Sequence, residues 1–156
     1  MQNSVSVIIF MDYEFHNLKD IIASLENQTK KPSNIYLINN NVKEMDLSSY
    51  DCGKIQLSKK MVLFTGFAIG MNSQDEYVCI INDNLILDKN TFENCIIGDK
   101  RYGGLFGING YRVTERENIA QYHVKYSPVD FLSGMWFMKK SHLSTILRME
   151  DCFNEL

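Results

Sequence analysis

The chain has 156 residues, 45% of them apolar and 22% charged, and a formal net charge of −3. This length and balance fit one domain spanning residues 1–156, able to remove roughly two thirds of its unfolded surface from water, and neither figure suggests disorder or a fibre. The acidic balance argues against a nucleic-acid-binding face, since the positive charges are scattered and Lys30-Lys31, Lys59-Lys60 and Lys139-Lys140 are isolated pairs.

No stretch reaches the length of a membrane span, and no secretory leader pattern is visible at the start. Cys52, Cys79, Cys95 and Cys152 show no Cys-x-x-Cys spacing, so zinc and redox motifs find no support. Cys79 and Cys95 sit in apolar segments and read as buried thiols. A reducing, cytoplasmic location is the simpler expectation.

Ser4 to Phe10 is β-branched and almost continuously apolar, the pattern of a strand covered on both faces in a parallel sheet. After a polar turn, Leu18, Ile21, Ile22 and Leu25 recur at helical spacing, with His16 or Asn17 as cap, and Thr29 to Pro32 ends the helix. Asn34 to Ile38 is a second strand, stopped by Asn39-Asn40-Asn41. The opening is therefore β-α-β, which makes a parallel pair.

Lys54 to Leu57 alternates as a third strand, and the Gly- and Met-rich Thr65 to Ser73 reads as a short helix. Tyr77 to Ile81 is another buried strand, ending in Asn82-Asp83-Asn84; Leu85 to Asp88 is expected to continue past that corner and Asn90 to Ile97 to be helical. Val129 to Gly134 and Met135 to Met138 read as strand pieces around a glycine, followed by a helix from His142 to Met149 capped by Ser141.

Two strands thus end in amide-rich corners. In an open parallel sheet, ligands bind beyond the carboxyl ends of the strands, so both corners are expected to face one crevice. Asparagine offers both a donor and an acceptor, as the edge of uracil or guanine requires. Asp83 offers a carboxylate and Asn84 a carbonyl oxygen to a Mg²⁺ or Mn²⁺ ion bound with phosphates.

The order of these segments resembles glycosyltransferase family 2. Val5 to Ile9, Ser24-Leu25-Glu26-Asn27-Gln28-Thr29 and Ile35 to Asn40 are similar to that family's opening strand, helix end and second strand. Gly66-Phe67-Ala68-Ile69-Gly70-Met71-Asn72 is similar to its glycine-containing helix, and Glu76 to Asn84 to the strand that carries its DxD corner. Val129 to Gly134 with Lys139-Lys140-Ser141 is similar to its acceptor-side segment, and Glu150-Asp151 falls at its acidic pair. The chain departs from the pattern at Phe10-Met11-Asp12-Tyr13 and at the corner, where amides flank Asp83.

The resemblance implies an α/β fold of the GT-A type, a Rossmann-like, mostly parallel central sheet flanked by helices. It implies transfer of a sugar from a UDP-, GDP- or dTDP-sugar to a hydroxyl of a glycan, lipid or protein acceptor, with inversion and with Mn²⁺ or Mg²⁺. Asp151 is then the base, with Glu150 able to exchange roles with it. Phe10, Asp12, Asn39, Gly66, Asn82 and Asp83 meet the nucleotide-sugar, Asp83 and Asn84 the metal, and Gly134, Met135 and Trp136 the sugar or acceptor. His123 and His142 are further metal-ligand candidates, and a homodimer is one option for assembly.

The amide-rich corner keeps a second reading open, a catalytically impaired nucleotide-sugar or glycan-binding module. A nucleotidyltransferase is a third, although its Gly-rich signature with Arg and Lys is not found. Serine-nucleophile elbows and P-loops are absent from the sequence. The chain runs five residues past Asp151, so an acceptor side that is minimal or completed elsewhere is also expected.

Overall fold

A computed structural model describes residues 3–11, 17–40, 46–56, 64–108, 110–113, 119–122, 131–132 and 134–145. The elements run β1 (Val5–Met11), α1 (Leu18–Glu26), β2 (Asn34–Asn39), β3 (Gly53–Gln56), α2 (Phe64–Met71), β4 (Tyr77–Asn82), α3 (Thr91–Tyr102), β5 (Leu105–Phe106), β6 (Gly110–Val113), β7 (Ile119–Tyr122), β8 (Phe131–Leu132) and β9 (Met135–Lys139). Residues 140–145 are helical.

The main sheet has six strands in the order β3-β2-β1-β4-β9-β5. β1, β2, β3 and β4 are mutually parallel, whereas β9 runs antiparallel to both β4 and β5. The sheet is therefore mixed. A smaller antiparallel sheet has the order β7-β6-β8, of which only β8 falls in a segment that the sequence marks as a strand piece.

β1 is the centre of the fold. All seven of its residues are buried, because its two faces serve two different cores. Val5, Val7, Ile9 and Met11 join Leu37, Cys79, Ile81 and Phe137 under α1 and α3. Ile8 and Phe10 join Ile38, Val78, Ile80 and Leu143 on the α2 side. That double burial is why the strand shows no polar alternation beyond Ser6.

α1 buries Leu18, Ile21 and Leu25 at helical spacing. Asn17 stands at its cap position, but without a side-chain capping bond. α2 starts one residue before the expected helix and α3 runs five residues further than expected. Leu85 to Asp88 is not a strand: the chain turns at Asp83-Asn84 and crosses to α3. The last helix begins at Lys140, so Ser141 lies inside it rather than capping it.

Tyr77, Phe137 and Phe92 form the aromatic spine that seats α3 on the sheet, with ring centroids 5.2 Å apart for Tyr77–Phe137 and 5.9 Å for Phe92–Phe137. The Tyr77 hydroxyl donates to Asp99 at 2.9 Å, and Lys139 lies 3.2 Å from the same carboxylate. A buried hydroxyl thus meets an acceptor whose charge is also paired. Burial, then the Asp99 hydrogen bond, holds the Tyr77 phenol above its ordinary value.

Candidate functional site

The carboxyl ends of the four parallel strands form one edge of the main sheet. Met11 stands opposite Asn39, Asn39 opposite Gln56, and Phe10 opposite Asn82. Adjacent strands lie about 4.8 Å apart, so the ends of β2 and β4 are separated by roughly 10 Å across β1. The two amide corners therefore share an edge of the molecule. Strand alternation puts Asn39 on the face of Leu37, and Asn82 on the opposite face with Ile80.

Asn39 is fully buried, and its Nδ2–H donates to Gln56 Oε1 at 2.7 Å. Asn40 is buried as well and donates its N–H to the Met11 carbonyl at 2.9 Å. Phe10 keeps its side chain in the α2-side core, so its ligand-facing groups are limited to the backbone. Asn82 ends β4 half-buried; Asp83, also half-buried, opens the turn, and Asn84 is exposed.

Gly134 reaches the same edge from the antiparallel side. Its carbonyl accepts the Asn82 N–H at 2.9 Å, and its φ of +88° is one that a residue with a Cβ adopts only with strain. Met135 is buried opposite Ile81, and Trp136 is half-buried opposite Ile80. The fold thus brings Asn82, Asp83 and Gly134 to the same edge of the sheet, with Met135 and Trp136 running back along β4.

Gly66 is placed differently from a diphosphate contact. A Cβ on it would face Ile80 and Phe10 at 3.6–3.7 Å, and one on Gly70 would face Val78, Leu143 and Ile8. Both glycines point at the sheet and let α2 lie close to it. His142 follows β9, whose last residue Lys139 pairs with Tyr77 at the start of β4. It therefore belongs to the opposite end of the sheet from Asp83. Asp12, His123, Glu150 and Asp151 lie outside the described residues.

Among the described residues, no three His, Cys, Asp or Glu side chains gather as a metal cluster. The donors at the corner are one carboxylate and amide oxygens, a set suited to a hard cation that takes its remaining ligands from phosphates and water. Thiol chemistry has no support: burial pushes the Cys95 thiol up to about 12 and the Cys79 thiol well above its ordinary value.

The amino end of the sheet is closed by polar side chains. Asp75 is buried and accepts from Ser6 Oγ at 2.5 Å and from Asn34 Nδ2 at 2.9 Å. Ser73 Oγ lies 2.6 Å from Ser6 Oγ and accepts the Asp75 N–H, while the Lys140 amine donates to the Ser73 carbonyl. The cluster ties β1, β2 and the α2–β4 turn together. Two surface hollows of about 390 and 530 Å³ also lie at this end, beside Lys31–Ile35 and beside Gln74–Glu76.

Two arrangements escaped the sequence reading. Gln56, at the end of a four-residue edge strand, carries no motif. Gln28 was visible only as part of Ser24–Thr29, and its role needs the fold. Its Nε2 donates to the Asp88 carbonyl at 2.7 Å and the Ser24 carbonyl at 3.2 Å, and its Oε1 accepts the Phe92 N–H. The Thr29 N–H donates to the Lys89 carbonyl at 2.8 Å. The end of α1 thereby grips the segment between the Asn82–Asn84 corner and α3.

No protein-family model matches the sequence, and no curated protein matches it in sequence. Similar folds are found among solved structures. Residues 1–349 of Staphylococcus aureus TarS share the fold at a TM-score of 0.60 and 12% identity, over 91% of this chain and 48% of that one. The 4-diphosphocytidyl-2C-methyl-D-erythritol synthase of Anaerococcus prevotii gives 0.51 at 11% identity, over 94% and 77%. The apo form of the Streptococcus pneumoniae glycosyltransferase GlyE gives 0.50 at 14% identity, over 99% and 39%.

The fold is therefore a mixed α/β fold shared with a glycosyltransferase and with a 4-diphosphocytidyl-2C-methyl-D-erythritol synthase. The chain spans about half the length of the TarS structure and less of GlyE. Among the described residues, no helix is long and apolar enough to cross a membrane.

Proposed function

We propose that this chain is a GT-A-type glycosyltransferase domain of the family 2 kind, which holds a nucleotide-diphosphate sugar at the carboxyl edge of β1, β2 and β4 and transfers its sugar to an acceptor hydroxyl. The observation that carries this reading is the convergence of Asn82, Asp83 and Gly134 at the edge that Asn39 also closes. The shared fold with a glycosyltransferase supports it.

In this reading the backbone at the end of β1 and the amides at the end of β2 seat the nucleoside. The positive-φ turn at Gly134 brings main chain close to the sugar, with Trp136 beside it. Asp83 and Asn84 would hold a Mn²⁺ or Mg²⁺ ion together with the donor's phosphates; the bound ion supplies charge neutralisation for the departing diphosphate. Asp151, or Glu150 in its place, takes the proton from the acceptor hydroxyl. The acceptor oxygen then bonds to the anomeric carbon from the face opposite the leaving group, the bond from that carbon to the diphosphate oxygen breaks, and the configuration inverts.

The test is a panel of UDP-, GDP- and dTDP-sugars with Mn²⁺ or with EDTA, read by thermal shift and by release of the nucleoside diphosphate. A ligand that binds the folded state raises its melting temperature. The expected result is a Mn²⁺-dependent shift with one nucleotide class, lost on Asp83→Ala, and release of the diphosphate. No shift with any donor would refute the reading.

The amides flanking Asp83 favour a second reading, a nucleotide-sugar-binding module without turnover. A shift without release of nucleotide under any acceptor would select it. Pyrophosphate release from a nucleoside triphosphate would instead identify a nucleotidyltransferase.

A further inference from the structure

Three of the four large apolar side chains exposed among the described residues fall in one short stretch: Ile97 at 57%, Tyr102 at 65% and Leu105 at 42%. A single apolar residue in water is ordinary, whereas a cluster calls for a reason. The same stretch holds two cations. Lys100 and Arg101 are exposed and follow Ile97 by three and four residues, on one face of α3. The Arg101 guanidinium lies 5.1 Å from the centre of the Tyr102 ring, so charge and ring form one amphipathic unit. The two acids of α3 are engaged elsewhere. Asp99 is buried against Tyr77 and Lys139, and Glu93, a turn before Ile97, accepts the Thr29 hydroxyl.

Gly103 and Gly104 end the helix. The Gly103 N–H donates to the Asp99 carbonyl at 2.8 Å, both glycines have positive φ, and a Cβ on either would meet nothing within 4 Å. The turn therefore stands clear of the fold as it leads into β5, the last strand of the main sheet. Leu105 stands opposite Met138, and Met138 opposite Val78 in the first half of β4. The corner thus lies away from the edge that carries Asp83. The dipole of α3 favours cations at its end, which accounts for Lys100 and Arg101 but not for Ile97 and Tyr102.

We propose that this corner, Ile97 to Leu105, is a docking surface for an anionic lipid membrane, with Ile97 and Tyr102 entering the interfacial layer and Lys100 and Arg101 meeting the headgroups. Charge selects this occupant. A second copy docked on the same face about a two-fold axis would set these cations against their own copies. β5, two residues long, also offers little edge for strand pairing. An anionic bilayer complements the cations and accepts aromatic and aliphatic tips at its interface. The chain as a whole carries a charge of −3, which such a surface repels, so the local cations set the orientation. Docking here leaves the carboxyl edge uncovered and does not depend on the nucleotide-sugar reading.

The experiment is co-sedimentation of the full chain with vesicles of phosphatidylcholine, alone or mixed with phosphatidylserine. The proteins are the native chain, Lys100→Gln/Arg101→Gln and Ile97→Ser/Tyr102→Ser. All four positions are exposed, so both variants should melt as the native protein does. Native protein should partition onto the phosphatidylserine vesicles, weakly onto phosphatidylcholine alone, and less as salt is raised. Each basic residue near an anionic surface contributes about fivefold, so the first variant should partition roughly 25-fold less. Loss of the two apolar side chains should lower partitioning by about tenfold or more. No binding to phosphatidylserine vesicles, or binding unchanged in either folded variant, would overturn the proposal. Sedimentation equilibrium without vesicles supplies the last arm: a native dimer that Ile97→Ser/Tyr102→Ser dissociates would assign the face to a second copy and overturn it as well.

Discussion

The grip of Gln28 on the start of α3 makes a quantitative test of what holds the site's supporting loop. Helix α3 has Asn90 at its cap position without a side-chain cap bond. Its second N–H, that of Phe92, is satisfied instead by Gln28 Oε1 at 3.2 Å. At the other end of the same amide, Nε2 serves the Ser24 carbonyl at the end of α1 and the Asp88 carbonyl. Gln28→Ala removes all three bonds from a residue that is 2% exposed.

The Asp88 carbonyl keeps two donors, the N–H and hydroxyl of Thr91, so its loss is small. The Phe92 N–H and the Ser24 carbonyl lose Gln28 inside the protein. Each unsatisfied buried group costs about 1–3 kcal/mol, which gives roughly 3 kcal/mol for the pair. At this chain length that corresponds to a fall in Tm of about 6–12 °C.

Gln28→Glu refines the test. An ionised carboxylate accepts the Phe92 N–H but sets its second oxygen against two carbonyl oxygens, and protonation turns that oxygen into a donor. The pKa of the introduced carboxyl is therefore raised in the folded state. Its stabilising contribution is present below the unfolded value of about 4.3 and is lost as pH rises through the folded value. Urea unfolding should show a smaller deficit for this variant at pH 5 than at pH 7. A loss below about 1 kcal/mol for Gln28→Ala, or a Gln28→Glu deficit that grows on acidification, would refute the reasoning.

Further outcomes follow from the packing. Burial pushes the Asp75 carboxyl up, but hydrogen bonds from Ser6, Asn34, Ser4 and Ser33 together pull it below the ordinary aspartate value. Its contribution is present above the unfolded value of about 3.9 and is lost as pH falls through the lower folded value. Asp75→Asn should cost about 2 kcal/mol at pH 7 and flatten the acid limb of urea midpoints measured from pH 2.5 to 6; an unchanged acid limb would count against the cluster. Gly107→Ala should cost about 2–3 kcal/mol, because its Cβ would press on the Met135 carbonyl oxygen and lie 2.8 Å from Leu132. Gly66→Ala, whose Cβ meets only ordinary contacts, should be neutral or stabilising by up to about 1 kcal/mol in thermal melts and should leave UDP affinity unchanged. A large drop in affinity would restore Gly66 as a diphosphate contact.

What the sequence could tell followed its periodicities. β1 and β4 were legible because strands buried on both faces need continuous apolar runs, and the residues that end them, Met11 and Asn82, marked the edge where polar groups gather. The direction of β9 was not legible, since Met135–Lys139 would be equally apolar in a parallel or an antiparallel pairing. β6 and β7 are four residues long, too short to show a period, whereas β8 falls inside the strand piece expected over Val129 to Gly134. Exposure at the site was hidden as well. Asn39 and Gln56 are both amides at strand ends, and only the sheet order, which makes β2 internal and β3 an edge, separates the buried amide from the exposed one.

The same structure divides the family-like motifs into two kinds. Ser24, Gln28 and Thr29 spend their polar atoms on Ile21, Leu87, Asp88, Lys89, Phe92 and Glu93, and Gly66 and Gly70 face the sheet. These residues build the scaffold, so their presence speaks for the fold and would persist in a protein that had lost its chemistry. Asp83 and Gly134 sit where the scaffold stops. The Asn82 N–H to Gly134 carbonyl bond joins the turn after β4 to the turn before β9, so a change in either turn displaces the other. On the proposed reading, activity turns on a handful of positions at one edge, and an Asp83→Ala protein that folds as the native one does but no longer responds to Mn²⁺ and nucleotide is the outcome that separates a working site from an inherited frame.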